Sequence, residues 1–115
     1  MGVEWVRRHC LSFPNATEQV QWEDDLVFKV GGKMFAVTAL EPAGVWLSFK
    51  CTGEEFGDLI ELPGVIPAPY LARAQWIALE REDALPAAEI KRLLRQSYDL
   101  VFAKLTKKAR MALQG

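Results

Sequence analysis

At 115 residues, half of them hydrophobic and with a formal net charge of −1, the chain suits one globular domain with its own core and is too apolar for disorder. No apolar run approaches the ~20 residues that span a bilayer, and no basic segment followed by an apolar core opens the chain, so a cytoplasmic, soluble monomer without a signal peptide is expected. Cys10 and Cys51 lie far apart and outside any C-x-x-C pair, which predicts reduced, buried thiols.

Residues 2–12 predict a short helix, with Val3, Val6 and Cys10 at helical spacing and Pro14-Asn15 as its stop. Thr17 to Trp22 alternates weakly as a first strand, and Glu23-Asp24-Asp25 turns the chain. A three-strand antiparallel meander follows. Leu26 to Val30 and Lys33 to Leu40 are rich in β-branched and aromatic residues, and Gly31-Gly32 between them suits a tight hairpin turn. Glu41-Pro42-Ala43-Gly44 gives the next turn, and Val45 to Lys50 the next strand.

A regular hairpin sets Val30 opposite Lys33 and Phe28 opposite Phe35. Leu26, Phe28, Phe35 and Val37 then face the core, and Val27, Lys29, Met34, Ala36 and Thr38 face outward. Val45, Leu47 and Phe49 split likewise from Trp46, Ser48 and Lys50. The outer face is thus expected to be mixed, basic and aromatic, and to be the first place for a ligand.

Thr52-Gly53-Glu54-Glu55 has the form of a capping box that opens a helix over about 53–62. Pro67 and Pro69 make the next run an ordered loop or an edge segment. Ala74 to Arg81 returns to strand, with Trp76 and Ala78 on one face and Ile77 and Leu79 on the other. Pro86 begins the last helix, whose core stripe is Ile90, Leu94, Tyr98, Val101 and Leu105. The order α-β-β-β-β-α-β-α predicts an α+β fold, an antiparallel sheet with helices on one face. From Pro86 onward seven basic residues outnumber two acidic ones, a balance of +5 against −6 for the rest. That asymmetry fits an anionic partner, or a solvated helix face with cations near its C-terminus.

The segments L-S-F-P-N-A-T-E, V-F-K-V-G-G-K-M-F-A, L-S-F-K-C, P-A-P-Y-L-A-R-A-Q-W-I and S-Y-D-L-V-F-A-K-L-T-K-K-A-R occur in one order along nearly the whole chain. Together they make the chain resemble the MmcQ/YjbR family of small bacterial proteins. The resemblance implies a single domain over residues 1–115 with a twisted antiparallel sheet and packed terminal helices, similar to the bacterial frataxin homologue CyaY. It also implies DNA binding by a "double wing" of two β-hairpins. Many relatives read H-M-N-K before the Trp; Tyr70-Leu71-Ala72-Arg73 keeps a basic residue but not the His or Asn.

The chemistry expected follows from these placements. A non-enzymatic DNA-binding protein would track phosphates with Lys29, Lys33, Lys50 and Arg73, approach closely at Gly31 and Gly32, and use Trp46 and Ser48 for stacking and hydrogen bonding. The alternative is a small-molecule or protein interaction domain with an apolar groove in the Pro63–Trp76 segment, lined by Tyr70 and Trp76. No catalytic residue is expected: His9 lacks an evident Ser or Asp partner, and Cys51 has only a helix start as a possible activator. Neither acidic cluster, Glu23-Asp24-Asp25 nor Glu54, Glu55 and Asp58, has metal-ligand spacing, so no metal or other cofactor is expected.

Overall fold

A computed structural model describes residues 2–114. α1 (Val3–Leu11) leads into β1 (Thr17–Gln21), β2 (Asp25–Val30), β3 (Lys33–Ala39) and β4 (Leu47–Lys50). There follow α2 (Gly53–Leu59), β5 (Val65–Pro67), a 3-10 turn (Ala72–Ala74), β6 (Trp76–Leu79), α3 (Ala87–Ala103) and α4 (Lys107–Gln114). The strands pair antiparallel in the order β1-β2-β3-β4-β6-β5. The α+β class and the expected order hold, with β5 and α4 as additions. β5 is the expected edge segment: one side pairs with β6 and the other is free, so the missing N–H of Pro67 disrupts no central ladder.

The break between α3 and α4 corrects the single last helix. The amides of Lys104 and Leu105 turn back to the Val101 and Phe102 carbonyls, each at 3.1 Å, which tightens and ends α3. Thr106 then caps a new helix, its Oγ1 accepting from the Ala109 amide at 3.1 Å. Leu105 is buried as expected, but in the junction rather than on the helix stripe.

α1 and α3 cover one face of the sheet. Val6 and Cys10 from α1 and Ile90, Leu93, Leu94 and Tyr98 from α3 pack there on Phe28, Phe35, Phe49 and Ile77. Each of the three phenylalanines is fully buried, a contribution of about 1.5–3 kcal/mol apiece relative to exposure. Thr52 caps α2 by accepting from the Glu55 amide at 3.2 Å, as the capping box predicts. The Glu55 carboxylate does not close the box; it pairs with Arg92 at 3.1 Å instead.

Gly31 and Gly32 both take positive φ (58° and 80°), and Val30 pairs with Lys33 across them. Beyond that first pair the regular register fails. Phe28 pairs with Ala36 and Lys29 with Met34, so Phe35 is the extra residue of a bulge. Phe35 and Ala36 both enter the helix-side core, and from there the faces of β3 are reversed. Val37 turns outward and packs with Trp76 and Ala78, while Thr38 is fully buried and donates to the Trp46 carbonyl at 3.0 Å. Val45 likewise joins the outer cluster. The bulge lets two large rings, Phe28 and Phe35, share the core with centroids 6.4 Å apart. The outer face is consequently apolar at its centre, not basic: Trp76, Ala78 and Ala68 are buried there, with Met34, Val37 and Leu71 half-buried around them.

Candidate functional site

The sheet face that α1 and α3 leave open carries a trough of about 610 Å³, within the range of about 300–1,000 Å³ typical of small-molecule sites. Met34, Val37 and Ala39 of β3 and Ser48 of β4 form its floor. Ala43, Val45 and Trp46 make one wall, and the 68–71 segment makes the other. Trp22 and Asp25 close one end. The bulge creates this floor: in a regular hairpin Val37 would point into the core and Thr38 would take its place.

Tyr70 and Trp76, the expected groove residues, take different parts. Tyr70 is fully exposed at the rim, at φ 67°. Trp76 is buried with Ala68 and Ala78 and supports the trough rather than lining it. Trp46, expected on an exposed basic face, is half-buried in the wall and also packs on the main core. Its indole Nε1 is buried without an acceptor among the described residues. Sequence reasoning missed Trp22 and Asp25 as ligand-facing residues, although an aromatic residue beside an acidic turn is a legible signal. Burial, reinforced by Asp24, holds the Asp25 carboxyl above its ordinary pKa.

The expected phosphate contacts lie elsewhere, at the end of the sheet that holds the β2–β3 turn. Gly31 packs so closely on Leu105 that a Cβ there would come within 2.6 Å of Leu105 Cδ1, which seats the hairpin tip on the α3–α4 junction. Lys50 Nζ donates to the Ala74 carbonyl at 2.6 Å, beside Arg73. Burial, then the nearby Lys104 charge, lowers the Lys50 pKa. Lys33, Lys50, Arg73 and Lys104 thus share one end with Lys107 and Lys108 of α4, and no carboxylate lies within 4.0 Å of any of them among the described residues. Lys29 is on the same hairpin, with Nζ donating to Gln19 Oε1 at 2.9 Å. Of the expected DNA-facing set, Lys29, Gly31, Gly32, Lys33, Lys50 and Arg73 come together here, while Trp46 and Ser48 belong to the trough. The hairpin and the basic C-terminal segment, separate in the sequence, meet through Leu105, a contact without a local signal.

Cys10 and Cys51 are both buried, and His9 packs between two aromatic rings. Burial pushes the Cys51 thiol up to about 12 and Cys10 higher still, so the α2 start does not activate Cys51. His9 Nε2 lies 3.2 Å from the Lys91 carbonyl, its ring stacked on Trp5 and edge-on to Phe13. No three His, Cys, Asp or Glu side chains converge as a metal site among the described residues. No described helix is long and apolar enough to cross a membrane.

Comparison with known proteins places this architecture. The YjbR family model matches residues 11–100. The chain belongs to the YjbR family. Its match takes in β1 through most of α3, and so every strand that builds the trough. A Deinococcus radiodurans protein, DR2400, with a DUF419 domain is similar over 98% of this chain and 88% of its own, at 30% identity and a TM-score of 0.87. A Pseudomonas syringae protein shares the fold at 23% identity and a TM-score of 0.70, over 87% of this chain and 98% of its own. No curated protein matches the chain.

Proposed function

We propose that this YjbR domain is a non-enzymatic binding module whose site is the trough and whose ligand is a small amphipathic molecule. The carrying observation is the trough itself, about 610 Å³ in volume with a largely apolar lining, on a sheet face over which no described helix lies. Met34, Val37, Val45 and Leu71 stay half-exposed there, with Trp22 and Tyr70 exposed at the rim. Covering such surface gains about 25 cal/mol per Å² of apolar area. The buried thiols of Cys10 and Cys51, both with raised pKa, favour binding over thiol catalysis. A fragment screen read by NMR tests this: binders should move the Met34 methyl and the Trp22 indole together. A library without a single hit at these positions would remove the reading.

A second reading, duplex DNA as partner, is favoured by the basic end and by what family resemblance implies. Among the described residues no carboxylate lies within 4.0 Å of Lys33, Lys50, Arg73 or Lys104, and phosphate neutralisation is the main source of DNA affinity. The formal net charge of −1 limits that affinity. In titrations at low and moderate salt, log K should fall linearly with log salt, and Lys33→Ala and Lys104→Ala should each lessen the slope by about one. Absence of binding at low salt would end this reading.

A further inference from the structure

We propose that the trough takes an amphipathic organic cation, its ammonium group at the Trp22–Asp25 end and its apolar body along β3 towards Met34 and Leu71. The inference rests on the trough being the ligand site, and adds the charge and direction of what lies in it.

The sign comes from the lining. Asp25 is the one formally charged side chain among the lining residues, and no Lys, Arg or His joins it. Its carboxylate has no cation within 4.0 Å among the described residues. An ammonium ion there would supply the missing counter-charge, and its attraction would offset the burial and the Asp24 repulsion that disfavour the ionised carboxyl. A carboxylate or phosphate in the same place would add a second negative charge to a half-buried one.

The aromatic groups point the same way. Trp22 is 62% exposed at that end, and an indole face attracts ammonium groups more strongly than the other aromatic rings do. Trp22 and Glu23 hold consecutive left-handed conformations, φ 50° and 71°, each an unfavourable geometry for a residue with a side chain. The turn thereby carries the exposed Trp22 indole and the Asp25 carboxylate at the mouth of an apolar channel.

Direction follows from the strand. β2 starts at Asp25 in the acidic turn and leads to the lysines around the β2–β3 turn, so the two ends of the sheet differ in sign. Ala39 pairs with Asp25, and Met34 lies five residues back along the same trough floor, about 17 Å at strand spacing. The apolar floor between them accepts an alkyl or aryl body, and the charged head is drawn to the acidic end.

Three probes with one tail test this at neutral pH: octylammonium, 1-octanol and octanoate, titrated into isotope-labelled protein. Octylammonium should bind about tenfold more tightly than octanol, and octanoate most weakly. Octylammonium should shift the Trp22 indole and Asp25 together with the Val37 methyls on the trough floor. Asp25→Asn should weaken octylammonium severalfold more than it weakens octanol, and so narrow the gap between them. Equal affinity for octylammonium and octanol, or tightest binding of octanoate, would overturn the cation while leaving the trough a ligand site. Failure of all three to bind in the trough would overturn both. The three affinities are compared on the unaltered chain, so the outcome does not depend on how the variant folds.

Discussion

The Ser97 hydroxyl donates to the Phe35 carbonyl at 2.6 Å and thereby holds the one β3 residue that the β2 ladder leaves unpaired. The same oxygen accepts from the Lys50 amide at 3.0 Å. A helix side chain therefore bridges β3 and β4 where their direct pairing stops, at Ala36 and Phe49. The bulge that turns Val37 into the trough is thus tied to α3 by one fully buried hydroxyl.

Ser97→Ala would leave the buried Phe35 carbonyl and the part-buried Lys50 amide without this partner, a cost of about 1–3 kcal/mol. Urea unfolding should show that loss, and amide exchange at Lys50 should accelerate more than at Phe49. A stability unchanged within about 0.5 kcal/mol would mean that the two strands close the gap themselves.

The two turn glycines should not be equivalent. Both hold positive φ, which costs a side-chain-bearing residue about 1–2 kcal/mol. A Cβ on Gly32 meets open space, whereas one on Gly31 meets both Leu105 Cδ atoms, at 2.6 and 3.0 Å. Gly31→Ala should therefore lower stability more than Gly32→Ala, by about 1 kcal/mol or more. It should also loosen α4, visible as faster amide exchange after Leu105. Equal effects would mean that Leu105 moves aside freely.

These relationships mark what local pattern does and does not carry. The Gly31-Gly32 turn, the Thr52 cap and the alternation of Trp76 and Ala78 against Ile77 and Leu79 are set within a few residues, and each is readable in the sequence. The bulge is not, because a turn defines only its first pair. What decides the next pairs is whether both Phe28 and Phe35 find room beneath α3 and whether Ser97 stands ready for the displaced carbonyl. The trough inherits this: Trp22, Met34, Val45 and Tyr70 come from four separate segments; Met34 is legible as outward-facing and Tyr70 as a groove residue, while Trp22 and Val45 are not. The basic end is half-legible in the same sense, its lysines visible but their meeting through Leu105 tertiary.

The two thiols should resist modification while the chain is folded. With Cys51 pushed up to about 12 and Cys10 higher, almost no thiolate exists at about pH 8, and both sulfurs are buried. A disulfide reagent should label neither over minutes in buffer and both in denaturant. Rapid labelling of Cys51 in the native state would reopen a reactive role for it.

Asp25 gives a pH signature opposite to that of an ion-paired carboxylate. Burial and Asp24 raise its pKa on folding, so between its ordinary and raised values the folded chain binds more protons than the unfolded one. Its contribution then favours the fold at low pH and is lost as pH climbs through that window. Glu89 runs the other way: its hydrogen bond from Arg92 lowers its pKa, and its contribution is lost as pH falls. Asp25→Asn removes the first effect without touching the second. Denaturation midpoints measured at about pH 4 and about pH 7 should show the variant gaining on the parent as pH rises, and at least equal to it at neutrality. An amphipathic ammonium ligand should shrink that gain, since the ion pair it forms stabilises the ionised Asp25 that Asn lacks. A variant that falls behind the parent at neutral pH without ligand would mean that Asp25 already has a stabilising partner when charged.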